Sequence, residues 1–158
     1  MPNGSPSSLL IDTNVLIYAA DAAAGVKALQ ASAVVQQIVV AGRAVITAQV
    51  ISEFYSSTTR PKGRPTPILT PAEAVRWVDE WFANSRFLQV TQEMSRDAVR
   101  GAWQHSINIY DALIWASARL SGIRIVLTED LPGSRTALEG VHYVNPFAES
   151  FELADIGL

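Results

Sequence analysis

The sequence predicts an α/β fold: a parallel sheet of four to five strands with helices on both faces. Three observations predict it. Short, continuously apolar runs of strand length alternate with longer segments of helical periodicity along the chain, the pattern of repeated strand–helix–strand units. Two of those runs end on or just before an acid. No internal repeat and no second domain is visible in 158 residues, a length that suits one hydrophobic core. Residues 1–158 are therefore expected to form a single domain, with residues 1–8 as a flexible start.

Leu9-Leu10-Ile11 is the first apolar run and stops at Asp12. Thr13 or Asn14 can cap a short helix over Val15 to Ala20. Val26 to Ala41 is rich in Ala and Val and reads as a helix closing near Gly42. Ala44 to Thr47 is a second buried strand. In the next helix, Gln49 to Thr59, Val50 and Phe54 stand four apart and give an inward face. Arg60 to Pro67 holds three prolines, one glycine and three basic residues, so it reads as a surface loop.

Thr70-Pro71-Ala72-Glu73 is a helix start, with Thr as cap, Pro at the first position and Glu at the third. That helix carries Val75, Trp77, Val78, Trp81 and Phe82, with core as the first assignment for the aromatics. Phe87 to Val90 is a third strand, and a helix from about Met94 to His105 follows. Ile109 to Leu120 is a strongly apolar helix ending before Gly122. Arg124 to Thr128 is a fourth strand, leading into Glu129-Asp130. His142 to Val144 is a weak fifth, broken by Asn145-Pro146-Phe147.

Composition narrows the chemistry. There is no cysteine, which removes disulfides, thiolate metal sites and cysteine nucleophiles together and suits a reducing cytosol. The start has neither a basic segment nor a long apolar core, and no run is long enough to span a bilayer. A soluble cytoplasmic protein with no membrane partner is the expectation. Net charge is −3, whereas general nucleic-acid binders are usually basic. A carboxylate site would itself contribute such charge, to be cancelled locally by a cation. No glycine-rich nucleotide cradle occurs. His105 and His142 are far apart and lack a Ser or Cys context for a triad.

The candidate site residues are acids. In an open parallel sheet, function collects beyond the carboxyl ends of the strands. Asp12 follows the first predicted strand and Asp130 the fourth, so both belong to one sheet edge. Asp111 opens an apolar helix. An acid there gains ~0.3–1 kcal/mol from the helix dipole when exposed, yet burial among apolar neighbours is costly without a partner. Glu53 lies mid-helix between Ile51 and Phe54 and would otherwise be a solvated helix residue. Asp12 could equally be a helix cap, and Asp130 could serve a turn before Leu131-Pro132-Gly133.

Four segments in order bear a further reading. Ile11-Asp12-Thr13-Asn14-Val15-Leu16, Val50-Ile51-Ser52-Glu53-Phe54, Tyr110-Asp111-Ala112-Leu113-Ile114 and Leu127-Thr128-Glu129-Asp130-Leu131 resemble the successive motifs of PIN domains, the nuclease fold of VapC-type toxins. Val144-Asn145-Pro146-Phe147 resembles the end of many such toxins, so the resemblance runs from Leu9 to Phe147. It implies a three-layer α/β/α sandwich and a hydrolase: a ribonuclease dependent on Mg²⁺ or Mn²⁺, the toxin of a type II toxin–antitoxin pair. RNA substrate, a cognate antitoxin and a homodimer are the implied partners.

The residues agree with that chemistry on their own terms. Hard divalent cations prefer oxygen ligands, and Mg²⁺ keeps several waters. This chain offers no soft-metal set. A carboxylate-bound ion can position and acidify a water and neutralise charge on the attacked phosphate. With the resemblance, Asp12 and Asp111 are expected as principal ligands, direct or through water, Asp130 as a third, and Glu53 as a ligand or base. Thr13, Asn14 and Thr128 could hold waters or carboxylates. Glu129 is either a surface residue or an accessory.

Arg60, Lys62 and Arg64, and the pair Arg96 and Arg100, could be solvated or could touch phosphate. Trp77, Trp81 and Phe82 could also face a partner. Two alternatives remain: a catalytically idle PIN-like module that binds RNA or protein, and another Mg²⁺-dependent phosphoryl-transfer hydrolase. The latter, with an Asp nucleophile after the first strand, would want a second Asp where Asn14 stands.

Overall fold

A computed structural model describes residues 7–158. The expected flexible start therefore lies, for residues 1–6, outside the described residues. The strands are β1 (Leu9–Ile11), β2 (Ala44–Thr47), β3 (Arg86–Leu88), β4 (Ile125–Leu127), β5 (Ala137–Leu138) and β6 (Val141–Val144). The helices are α1 (Thr13–Ala20), α2 (Val26–Val40), α3 (Ala48–Thr58), α4 (Pro71–Asn84), α5 (Gln92–His105) and α6 (Ile109–Leu120).

The strands form one six-stranded sheet in the order β3-β2-β1-β4-β6-β5. All pairings are parallel except that of β5 with β6. Leu9, Leu10, Ile11, Val45, Ile46, Val126 and Leu127 are buried whichever way their side chains point. That is the mark of strands covered on both faces, each such side chain worth about 1.5–3 kcal/mol against exposure. The expected α/β/α sandwich is thus the observed architecture.

The chain order reverses at β1, which has β2 on one side and β4 on the other. Such a switch point leaves a crevice beyond the carboxyl ends of the two central strands. Asp12 follows β1 and Thr128 follows β4, so this crevice receives them.

Several boundaries differ from expectation for local reasons. Of the caps the sequence offered for α1, Asp12 rather than Thr13 or Asn14 serves: its Oδ1 accepts from the Thr13 amide at 2.7 Å, and the helix starts at Thr13. The strand expected over Phe87–Val90 is β3, one residue earlier and shorter. Thr91 then caps α5 through the Met94 amide, starting that helix at Gln92. The extra strand β5 is a two-residue return onto β6. It is made by Glu139 and Gly140, both at positive φ (45° and 84°), the backbone shape of a tight antiparallel hairpin.

The aromatic helix α4 divides its side chains. Trp81 is buried edge-on against Phe54 at 4.4 Å and touches Trp77 at 5.6 Å. Phe82 is exposed and leans on Phe87. α5 and α6 approach closely because Gly101 has no side chain; a Cβ there would stand 2.3 Å from the Trp115 ring. Among the described residues, no helix is long and apolar enough to cross a membrane.

Candidate active site

Four elements contribute acids to one open groove of about 220 Å³ at the switch point. Asp12 caps α1, Glu53 comes from α3, Asp111 from the first turn of α6, and Asp130 from the segment after β4. Thr13, Asn14, Ile17, Gln49, Ser57, Tyr110 and Ile114 complete the lining, and none of these lining residues is basic. The structure therefore brings together all four acids named from the sequence.

Three of the four carboxylates, Asp12, Glu53 and Asp130, are set by neutral donors. Thr128 follows β4, and its hydroxyl donates to Asp12 Oδ2 at 2.8 Å. Thr128 Oγ1 in turn accepts from the Asp130 amide at 3.1 Å, which turns the chain so that Asp130 enters the groove. Asn14 Nδ2 lies among Asp12 Oδ2 (3.4 Å), Thr128 Oγ1 (3.0 Å) and Asp130 Oδ2 (3.3 Å). Glu53 is held at both oxygens. Thr13 donates to Oε2 at 2.9 Å and Gln49 to Oε1 at 2.8 Å. Gln49 also donates to the Tyr110 carbonyl at 3.2 Å, tying α3 to the head of α6.

The electrostatics follow from this crowding. Burial raises the Asp12 carboxyl to about 6, Glu53 and Asp111 add to the rise, and the bonds from Thr128 and Thr13 restrain it. Burial also raises Asp111, helped by Asp130 and Glu53. Like charges in one site disfavour one another's ionised forms, and a cation reverses the sign of that effect. The donor set is all oxygen with a few amides, which fits a hard divalent ion. Among the described residues, no three acidic or histidine side chains stand close enough to clasp an ion directly. Hydroxyls and amides lie between them, an arrangement that suits an ion reached partly through its waters.

Glu129 is not in the groove. It pairs with Lys27, whose ammonium also reaches the Tyr18 hydroxyl. Burial alone would raise its carboxyl, but Lys27 and the nearby Tyr18 hydroxyl outweigh burial and leave it lowered. Of the basic loop, Arg64 turns to Asp21, donating to Oδ1 at 3.1 Å, and Lys62 donates to the Ser57 hydroxyl at 3.1 Å. Arg64 is thus committed to a buried acid. Gln49, Ser57, Tyr110 and Lys27 were not singled out from the sequence. Only Gln49 carried a signal there, standing one helical turn before Glu53.

The fold and site together define an α/β protein whose mostly parallel sheet gathers four acids at its switch point. A family model for the PIN domain matches residues 9–137, and the chain belongs to that family. No curated protein matches it. Solved structures of the same fold include DNA-bound VapBC from Salmonella typhimurium, with a TM-score of 0.63, 16% identity and coverage of 89% of this chain and 98% of that one. A toxin–antitoxin complex from Klebsiella pneumoniae gives 0.60, 19%, 89% and 98%. VapC20 of Mycobacterium tuberculosis, a sarcin-ricin loop cleaving toxin, gives 0.58, 17%, 75% and 87%.

Proposed function

We propose that this protein is a divalent-metal-dependent endoribonuclease, the toxin of a type II toxin–antitoxin pair. The observation that carries the reading is the convergence of Asp12, Glu53, Asp111 and Asp130 on one groove whose lining holds no basic side chain. Family membership and the toxins among its structural neighbours support the biological role.

Asp12, Asp111 and Asp130 would hold Mg²⁺ or Mn²⁺, directly or through water. A bound ion supplies a lowered proton affinity to water and neutralises charge on the scissile phosphate. The chain's own part is to fix the acids. Thr128 and the Thr13 amide leave Asp12 little freedom to swing. Glu53, gripped by Thr13 and Gln49, is oriented to take a proton at a carboxylate oxygen.

Partner surfaces are available. Val26, Leu29 and Val40 form an exposed apolar stripe on α2, and Val75 and Phe82 another on α4. Val99 and Trp103 stand out from α5, with Trp103 85% exposed. Exposed aromatics and aliphatics of this kind suit a second copy or an antitoxin. A basic antitoxin segment would complement the groove.

The test is cleavage of RNA by purified protein. EDTA should abolish it and Mn²⁺ or Mg²⁺ restore it. Asp12→Asn should lower it by more than about 100-fold, the upper end of what outer partners alone cost, with the fold intact. Full cleavage by Asp12→Asn or chelator-resistant cleavage sinks the assignment. RNA binding without product under either metal is the outcome expected of an idle PIN module.

A further inference from the structure

We infer that Lys27 and Glu129 form a clamp outside the groove that positions Asn14, and through it Asp12 and Asp130. Lys27 is then a positioning residue for the acidic site. The inference rests on the nuclease reading above.

The chain of contacts is continuous. Lys27, in the first turn of α2, pairs with Glu129, 102 positions away. Its ammonium also reaches the Tyr18 hydroxyl at 3.4 Å. It sits over the Tyr18 ring at 4.7 Å and the Phe147 ring at 5.4 Å, and those rings meet edge-on at 5.0 Å. Two aromatic faces and an acid fix the ammonium on one side, although the side chain is 40% exposed on the other. Glu129 lies between Thr128, tied to Asp12, and Asp130. Thr128 anchors that segment from the groove side and Lys27 from the outside.

The backbone amide of Glu129 donates to Asn14 Oδ1 at 3.1 Å. This bond decides which way the Asn14 amide points. Reversed, its NH₂ would face another N–H, and its oxygen would face Asp12 and Asp130. A side-chain amide is oriented by such partners. With the Glu129 amide in place, Asn14 Nδ2 must point among the acids. Loosening Glu129 frees Asn14 to turn, and with it the spacing of Asp12 and Asp130. The contacts already made by the Lys27 ammonium argue that it acts on the protein rather than on substrate.

Lys27→Met, Lys27→Arg, Glu129→Gln and the double variant Lys27→Met/Glu129→Gln test this. Mn²⁺ affinity is read by calorimetry, RNA cleavage as kcat and KM, and the Asn14 side-chain amide by NMR. Lys27→Met and Glu129→Gln should each weaken Mn²⁺ binding and lower kcat by about 10-fold, the lower end of the scale for a ligand's outer partners, since both act through Asn14. KM should be unchanged, the double variant should be no worse, Lys27→Arg should be largely rescued, and the Asn14 amide signals should move. If Lys27→Met does not fold, Glu129→Gln carries the same readings. A raised KM in Lys27→Met with normal kcat in Glu129→Gln would mean that Lys27 touches RNA, and overturns the clamp. Unchanged Mn²⁺ affinity and kcat in both single variants overturns it too. Wild-type protein that neither binds Mn²⁺ nor cuts RNA overturns the nuclease reading and the clamp with it.

Discussion

Two charges are drawn into the protein at opposite ends of the central strands, and they are treated differently. Arg43, 3% exposed, precedes β2. It donates to the Ser7 carbonyl at 2.6 Å, the Ser7 hydroxyl at 3.0 Å and the Gly157 carbonyl at 2.8 Å. Acceptors of the protein's own chain surround it, and it ties both ends of the described chain to the sheet. Asp12, at the other edge, also has its bonds, but its further neighbours are Glu53, Asp111 and Asp130. Burying a charge among acceptors of opposite polarity holds a fold together. Burying one among like charges costs stability and leaves a site that something else must complete.

Breaking the Arg43 end should have the largest effect on stability. Arg43→Met removes three charge-assisted bonds worth ~1.5–3 kcal/mol each and strands two carbonyls, for a loss of about 5 kcal/mol or more in denaturant unfolding. Activity per folded molecule should be unaffected.

The Asp12 end should respond in the opposite sense. Its folded carboxyl is raised from 3.8 to about 6, so the native state binds more protons than the unfolded chain between those values. The stability this contributes is full below pH 3.8 and is lost as pH rises through about 6, a swing of at most about 3 kcal/mol. Measured as the difference between metal-free wild type and Asp12→Asn, it should widen from pH 4 to pH 7 in favour of the variant. At pH 7, Asp12→Asn should be more stable than metal-free wild type by about 2 kcal/mol, as expected where a site trades stability for function. The smallest effect belongs to Thr13→Val, which loses the bond to Glu53 and about 1 kcal/mol. It should lower cleavage more than it lowers stability.

The sheet was legible because Leu9–Ile11 and residues 44–46 are apolar without a break, and α4 because its cap, proline and glutamate fall in sequence. β5 was hidden because it is two residues long and Glu139 is a residue seldom found at positive φ, which left Gly140 as the one mark of the hairpin. The start of α5 was missed because Met94, not Glu or Gln, completes the cap with Thr91. In the site, Asp12 and Asp130 were placed by topology alone, whereas Asp111 and Glu53 each had an ordinary helical reading until the family resemblance joined them. The Lys27–Glu129 pair links residues 102 apart, and nothing local in either segment points to the other. Arg64 looked free to meet phosphate because its partner Asp21 lies 43 positions away.

Thermal and denaturant unfolding of metal-free wild type and Asp12→Asn at pH 7, each with and without Mn²⁺, tests the contrast most directly. A ligand that binds only the native state at 100 times its Kd adds about 2.7 kcal/mol. Mn²⁺ should stabilise wild type on that scale and leave Asp12→Asn unmoved, erasing or reversing the variant's advantage. Equal stabilisation of both proteins, or none of wild type, would contradict the assignment of these acids to a cation.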